Sequence, residues 1–109
     1  MNKELLNEIL ALYVNKVREN YGSAVDRIIL FGSYARDDYN EYSDIDLMVL
    51  LEMEDIPAVR RNMREYLNEL EWNYDVLIAP VYQNNKVFEK YKVASGFYRK
   101  IEEEGHLVG

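Results

Sequence analysis

Two apolar runs, Val25–Phe31 (VDRIILF) and Ser43–Leu51 (SDIDLMVLL), constrain this chain more than any other feature. A strand with one wet face alternates apolar and polar residues, whereas LMVLL has no polar position at all. Both runs read as buried strands, short and rich in β-branched and aliphatic residues. Gly32 closes the first.

The flanking segments have helical periodicity. From about Lys3 to Asn20, Leu5, Leu6, Ile9, Leu10, Tyr13 and Val17 form one stripe, and Gly22 stops the helix. Pro57 suits the first turn of a helix that runs to about Trp72, with Val59, Met63, Tyr66, Leu67 and Leu70 as its core stripe. Tyr74–Ala79 (YDVLIA) reads as a third strand ended by Pro80. Val87–Val93 has no clear period. Ser95–Glu104 reads as a final helix stopped by Gly105. The order implies one domain over residues 1–109, an α+β or α/β sandwich with three strands and helices between.

Composition removes several function classes. The chain has no cysteine and a single histidine, His106, so thiolate and histidine-rich metal sites are excluded. Any ion must be held by carboxylates, which favours hard cations such as Mg2+ or Mn2+. The formal net charge of -7 argues against a long nucleic-acid substrate, because phosphate neutralisation dominates that affinity. No run approaches the ~20 apolar residues of a membrane helix. The N-terminus has charges among its apolar positions and is no signal peptide, so a cytoplasmic location is expected.

Three acids interrupt apolar strand patterns. Asp44 and Asp46 lie two apart, so both leave the same face of their strand. Asp75 breaks YDVLIA in the same way, and if those strands are neighbours the three carboxylates converge. Carboxylates that close repel one another. A pair of divalent ions would remove the conflict and serve a phosphoryl transfer. Gly32-Ser33, directly after the first strand, offers backbone N–H groups and a hydroxyl to phosphate oxygens.

The segment LFGSYARDDYNEYSDIDLMVLLE closely resembles the signature of the DNA polymerase beta-like nucleotidyltransferase superfamily. Gly-Ser-x-Ala-Arg, Ser-Asp-Ile-Asp-Leu and the C-terminal FYRKIEEEGHLV resemble its minimal nucleotidyltransferase branch, several members of which are antitoxins encoded beside HEPN-domain toxins. The resemblance implies the nucleotidyltransferase fold, α+β with a small mixed β-sheet of at least three strands flanked by helices. It also implies transfer of a nucleoside monophosphate, AMP from ATP, to a hydroxyl of a protein or small molecule. By position, Gly32 and Ser33 would hold the triphosphate, Asp44 and Asp46 would ligate two Mg2+ ions, and Asp75 would complete the catalytic metal site and help deprotonate the acceptor. Arg36 divides between a phosphate contact and a surface pair with Asp37 or Glu41. Many relatives have glycine after Ala-Arg where this chain has Asp37, which implies a different turn and added negative charge near the triphosphate.

Other residues have plainer readings. Tyr13, Tyr66 and Tyr74 are expected to pack in the core, while Tyr34, Tyr39 and Tyr42 flank the motif and divide between base stacking and structural or partner-facing roles. Glu102–Glu104 and Arg60, Arg61 and Arg64 fit solvated helix faces, and His106 fits an exposed position. A second reading of the whole chain is a binding module that neutralises a partner, such as a HEPN-domain toxin, by complex formation. So small a domain would also accommodate a homo-oligomer.

Overall fold

The computed structural model describes residues 1–109. Helix α1 (Lys3–Tyr21) is capped by the Asn2 side chain, which accepts from the Leu5 N–H, and it ends at Gly22 with φ 50°. A 3-10 turn leads into β1 (Val25–Phe31), followed by the single-turn α2 (Ser33–Arg36) and β2 (Ile45–Leu51). Helix α3 (Ile56–Tyr74), capped by Asp55 with Pro57 in its first turn, crosses over to β3 (Ile78–Asn84). Helices α4 (Asn85–Tyr91) and α5 (Gly96–Glu104) precede the short β4 (His106–Leu107). No helix is long and apolar enough to cross a membrane.

The sheet order is β3-β2-β1-β4, with β2 and β3 parallel and the other pairs antiparallel. The fold is therefore α+β with a mixed four-stranded sheet, as the family resemblance implies. Alternation along the strands divides the core between the two faces. Ile28, Leu30, Ile45, Leu47 and Val49 pack under α1 and α3, beside Ile9, Val17 and Met63. Ile29, Met48 and Leu50 pack under α4 and α5, against Phe88 and Ile101. Both faces are covered, which accounts for the unbroken LMVLL run.

A buried hydrogen bond between the hydroxyls of Tyr13 and Tyr82 ties α1 to the edge strand β3. Burial pushes both phenols up, Tyr82 to about 12. Tyr34 is buried too and stacks on Tyr39 with ring centroids 4.3 Å apart, so both are structural.

The third strand differs from the sequence reading. It starts at Ile78 rather than Tyr74 and passes through Pro80, which the sequence reading took as its end. Pro80 pairs with Leu47, and β3 tolerates it because an edge strand needs ladder N–H groups on one side only. The Val87–Val93 region is largely α4, started by Asn84, whose side chain accepts from the Lys86 and Val87 N–H groups.

Candidate active site

The site lies where β1 ends and β2 begins. Phe31, the last residue of β1, pairs with Asp46 in β2. Gly32 then turns the chain with φ 75° and ψ -155°, a conformation open essentially to glycine alone. A Cβ at Gly32 would overlap the Asp46 carboxylate, so the turn also needs glycine for space. The Gly32 carbonyl accepts from the N–H groups of Ala35 and Arg36, both at 3.1 Å, and thereby starts α2. Ser33 stands at the head of that turn, half-buried, beside Asp46.

Asp46 shares the face of Met48 and Leu50, which is the face under α5. Its side chain holds no hydrogen bond within the protein. Burial, followed by the charge of Asp44, raises its pKa above the ordinary carboxylate value, while Arg36 opposes the shift. Asp44 sits one residue before β2 and is exposed. These two acids are therefore neighbours near the same strand end.

A cleft of about 370 Å3 opens over this point, lined by Phe31, Gly32, Ser33, Arg36 and Asp46 on one side. Phe97, Lys100, Ile101 and Glu104 of α5 line the other. Arg36 donates from Nε to Asp38 at 3.2 Å, and its Nη1 lies 3.7 Å from Glu104 Oε2. These carboxylates, Asp38 first, hold the guanidinium pKa above its ordinary value.

Asp75 is not where a strand-borne third ligand would be. It caps α3 in the left-handed conformation, φ 52° and ψ 51°, and precedes β3 by three residues. It is exposed and lines a different cleft with Tyr42, Tyr74 and Leu77. The β3 residue in register with Asp46 is Ala79, and the next on that face is Val81. No group of three acids or histidines is gathered closely enough to hold an ion. Of the three carboxylates expected on one strand face, Asp46 stands in β2, Asp44 one residue before it, and Asp75 at the end of α3. The physical reason is that α3 ends where YDVLIA begins, and an acid at a helix end resembles an acid inside a strand.

Asp37 gives a second correction. It takes the left-handed conformation, φ 62° and ψ 32°, at the end of α2, which is the conformation glycine favours there. The turn is therefore the glycine-type turn, adopted by an aspartate, one of the few non-glycine residues that enter this region readily.

Phe97, Lys100 and Glu104 lie within FYRKIEEEGHLV, whose residues carry no site role in the sequence pattern, and Glu104 reads there as solvated. Their spacing, three and four residues apart, puts them on one helix face and was the available signal. The solvated reading does hold for Arg60, Arg61 and Arg64, all exposed. Exposed His106 has one ring contact, Nε2 to the Ala35 carbonyl at 2.9 Å.

Residues 10–108 match the nucleotidyltransferase domain family. A relative from Methanocaldococcus jannaschii, MJ0604, provisionally named a protein adenylyltransferase, is 32% identical over 105 residues, covering 94% of this chain and 99% of its own length. The protein adenylyltransferase MntA of Thermococcus cleftensis is 36% identical over 69 residues, 62% of this chain and 66% of that one. Among solved structures, a provisionally assigned minimal nucleotidyltransferase superposes with TM-score 0.67 at 21% identity, covering 97% of this chain and 95% of that one. A toxin–antitoxin crystallised with AMP-PNP superposes with TM-score 0.57 at 21% identity, covering 90% and 71%. Sequence match and fold agree, and this chain belongs to the nucleotidyltransferase domain family.

Proposed function

We propose that this nucleotidyltransferase moves a nucleoside monophosphate, AMP from ATP, onto a hydroxyl of a partner protein. The observation that carries the reading is the meeting of the Gly32-Ser33 turn, Arg36 and Asp46 in one cleft, where phosphate donors lie beside a carboxylate with no hydrogen-bond donor of its own. The names of the relatives favour AMP and a protein acceptor. The toxin–antitoxin neighbours favour a toxin as the partner, and a HEPN domain remains our expectation for it from the sequence resemblance.

Asp44 and Asp46 fit a hard divalent cation, Mg2+ or Mn2+. Both offer oxygen, their mutual repulsion favours a counter-ion, and Mg2+ is commonly held by one or two carboxylates plus substrate phosphates. When bound, the ion neutralises phosphate charge and polarises the reacting phosphorus. The Gly32-Ser33 turn and Arg36 orient the triphosphate. In the transfer, the acceptor oxygen bonds to the α-phosphorus and the α–β bridging bond breaks. Pyrophosphate leaves with the electron pair, and the acceptor proton passes to solvent. Asp75 has no part in this arrangement.

The test is incubation with each labelled nucleoside triphosphate, Mg2+ and the candidate toxin, followed by mass spectrometry of both proteins. A toxin heavier by one nucleoside monophosphate supports the proposal. A tight complex with no label transferred, under conditions where the nucleotide binds, would replace it with neutralisation by binding alone.

A further inference from the structure

The cleft over Asp46 has two walls, and only one of them belongs to the Gly-Ser/Asp-x-Asp motif. We propose that α5 is the second half of the nucleoside triphosphate site, with Lys100 binding phosphate oxygens and Phe97 forming the surface on which the base stacks. The inference rests on the nucleotidyltransferase reading and assigns that site two further residues.

The geometry orders the ligand along the helix. Phe97 stands edge-on to Phe31, ring centroids 5.7 Å apart and planes at 82°. Phe31 is the strand partner of Asp46 and directly precedes the Gly32-Ser33 turn. At the other end of α5, Glu104 approaches Arg36. Lys100 lies between them, about one helical turn from each on the same face. A base against Phe97 therefore leaves its phosphates running past Lys100 toward Arg36.

Charge gives the second argument. The motif wall offers one cation, Arg36, already shared between Asp38 and Glu104. Asp44, Asp46 and Glu104 add negative charge around a ligand that is itself an anion. Lys100 forms no salt bridge, although Glu104 lies four residues on, so its ammonium is free to turn into the cleft. Phe97 is 52% exposed, which costs apolar surface in the empty protein and leaves a ring face for a planar ligand.

The experiment is calorimetry with Mg2+ on wild type, Lys100→Gln and Phe97→Ala. The probes are inorganic tripolyphosphate and whichever of ATP, GTP, CTP and UTP binds wild type most tightly. Lys100→Gln should weaken both probes roughly ten-fold or more, the scale of one charge-assisted hydrogen bond. Phe97→Ala should weaken the nucleotide by a similar factor and leave tripolyphosphate unchanged, because stacking acts on the base alone. Lys100→Arg should restore binding of both probes. Both side chains are exposed, so melting temperatures near wild type will show that the variants fold. Wild-type binding that is unaltered in both variants overturns the role of α5 and leaves the motif site intact. A wild type that binds no triphosphate defeats the underlying reading instead.

Discussion

Gly32→Ala is the sharpest test of the site's construction, because two separate penalties meet at one position. Alanine would have to adopt φ 75° and ψ -155°, and a residue in such a region costs about 1–3 kcal/mol. Its Cβ would also overlap the Asp46 carboxylate, and overpacking costs typically 1–3 kcal/mol, toward the low end here because the overlapped oxygen is the free end of a side chain that can rotate. Asp46 is held in β2 between paired strands, so it yields only by rotating its side chain. We expect a loss of about 3 kcal/mol, which for a domain of this size lowers the melting temperature by roughly 12 °C or more. Urea unfolding at constant slope would measure the loss directly. A double-mutant cycle separates the penalties: Asp46→Ala removes the carboxylate and should recover about 1–2 kcal/mol, while the backbone part persists. Stability of Gly32→Ala within about 0.5 kcal/mol of wild type would refute the conformation. A full loss with no recovery in the double variant would refute the contact with Asp46.

The remaining predictions concern charge. Burial and Asp44 raise the Asp46 pKa, so between the unfolded and folded values the native protein retains a proton that the unfolded chain releases. Metal-free stability must therefore fall as pH rises through that window, and Asp46→Asn should remove this slope in urea titrations while abolishing metal-dependent nucleotide binding. Asp75→Asn should retain transfer within a few-fold in the labelled-nucleotide assay, because asparagine accepts the left-handed cap and the carboxylate stands apart from Asp46; a hundred-fold loss would return Asp75 to the mechanism. Asp37→Gly should stabilise the fold by at most about 1 kcal/mol in thermal or urea unfolding, since the left-handed region costs an L-residue roughly 1–2 kcal/mol and glycine's greater chain freedom offsets part of the gain. Asp38→Asn should tighten nucleotide binding by no more than about a few-fold in calorimetry, by releasing Arg36 from an exposed and well-screened pair.

The sheet was legible where pattern and environment coincide. Ile28–Leu30 is unbroken because both faces of β1 are covered there, and Gly22, Pro57 and Gly105 mark helix ends through backbone constraints that hold in any fold. The Gly32-Ser33 turn and Asp46 were legible because each marks the end of an apolar strand run. The start of β3 was not, since Tyr74 and Val76 suit a helix end or a strand equally and only the α3 cap decides between them. The α5 wall was hidden for another reason. Phe97, Lys100 and Glu104 become part of a site only when the helix crosses the face of β1, a contact between residues more than fifty positions apart in sequence.

The bond between Tyr13 and Tyr82 equips the protein with its own optical gauge of integrity. Of ten tyrosines, these two have their hydroxyls turned toward each other inside the core, and burial holds their protons to higher pH than a free phenol allows. In the unfolded chain both would ionise near pH 10. Above that pH the unfolded state releases protons that the native state keeps, so alkali works against the fold through this pair. An absorbance titration of phenolate should therefore include a separate second stage, in which these two protons are released only as α1 separates from β3. The second stage would report the integrity of the contact between helix and edge strand without any added label.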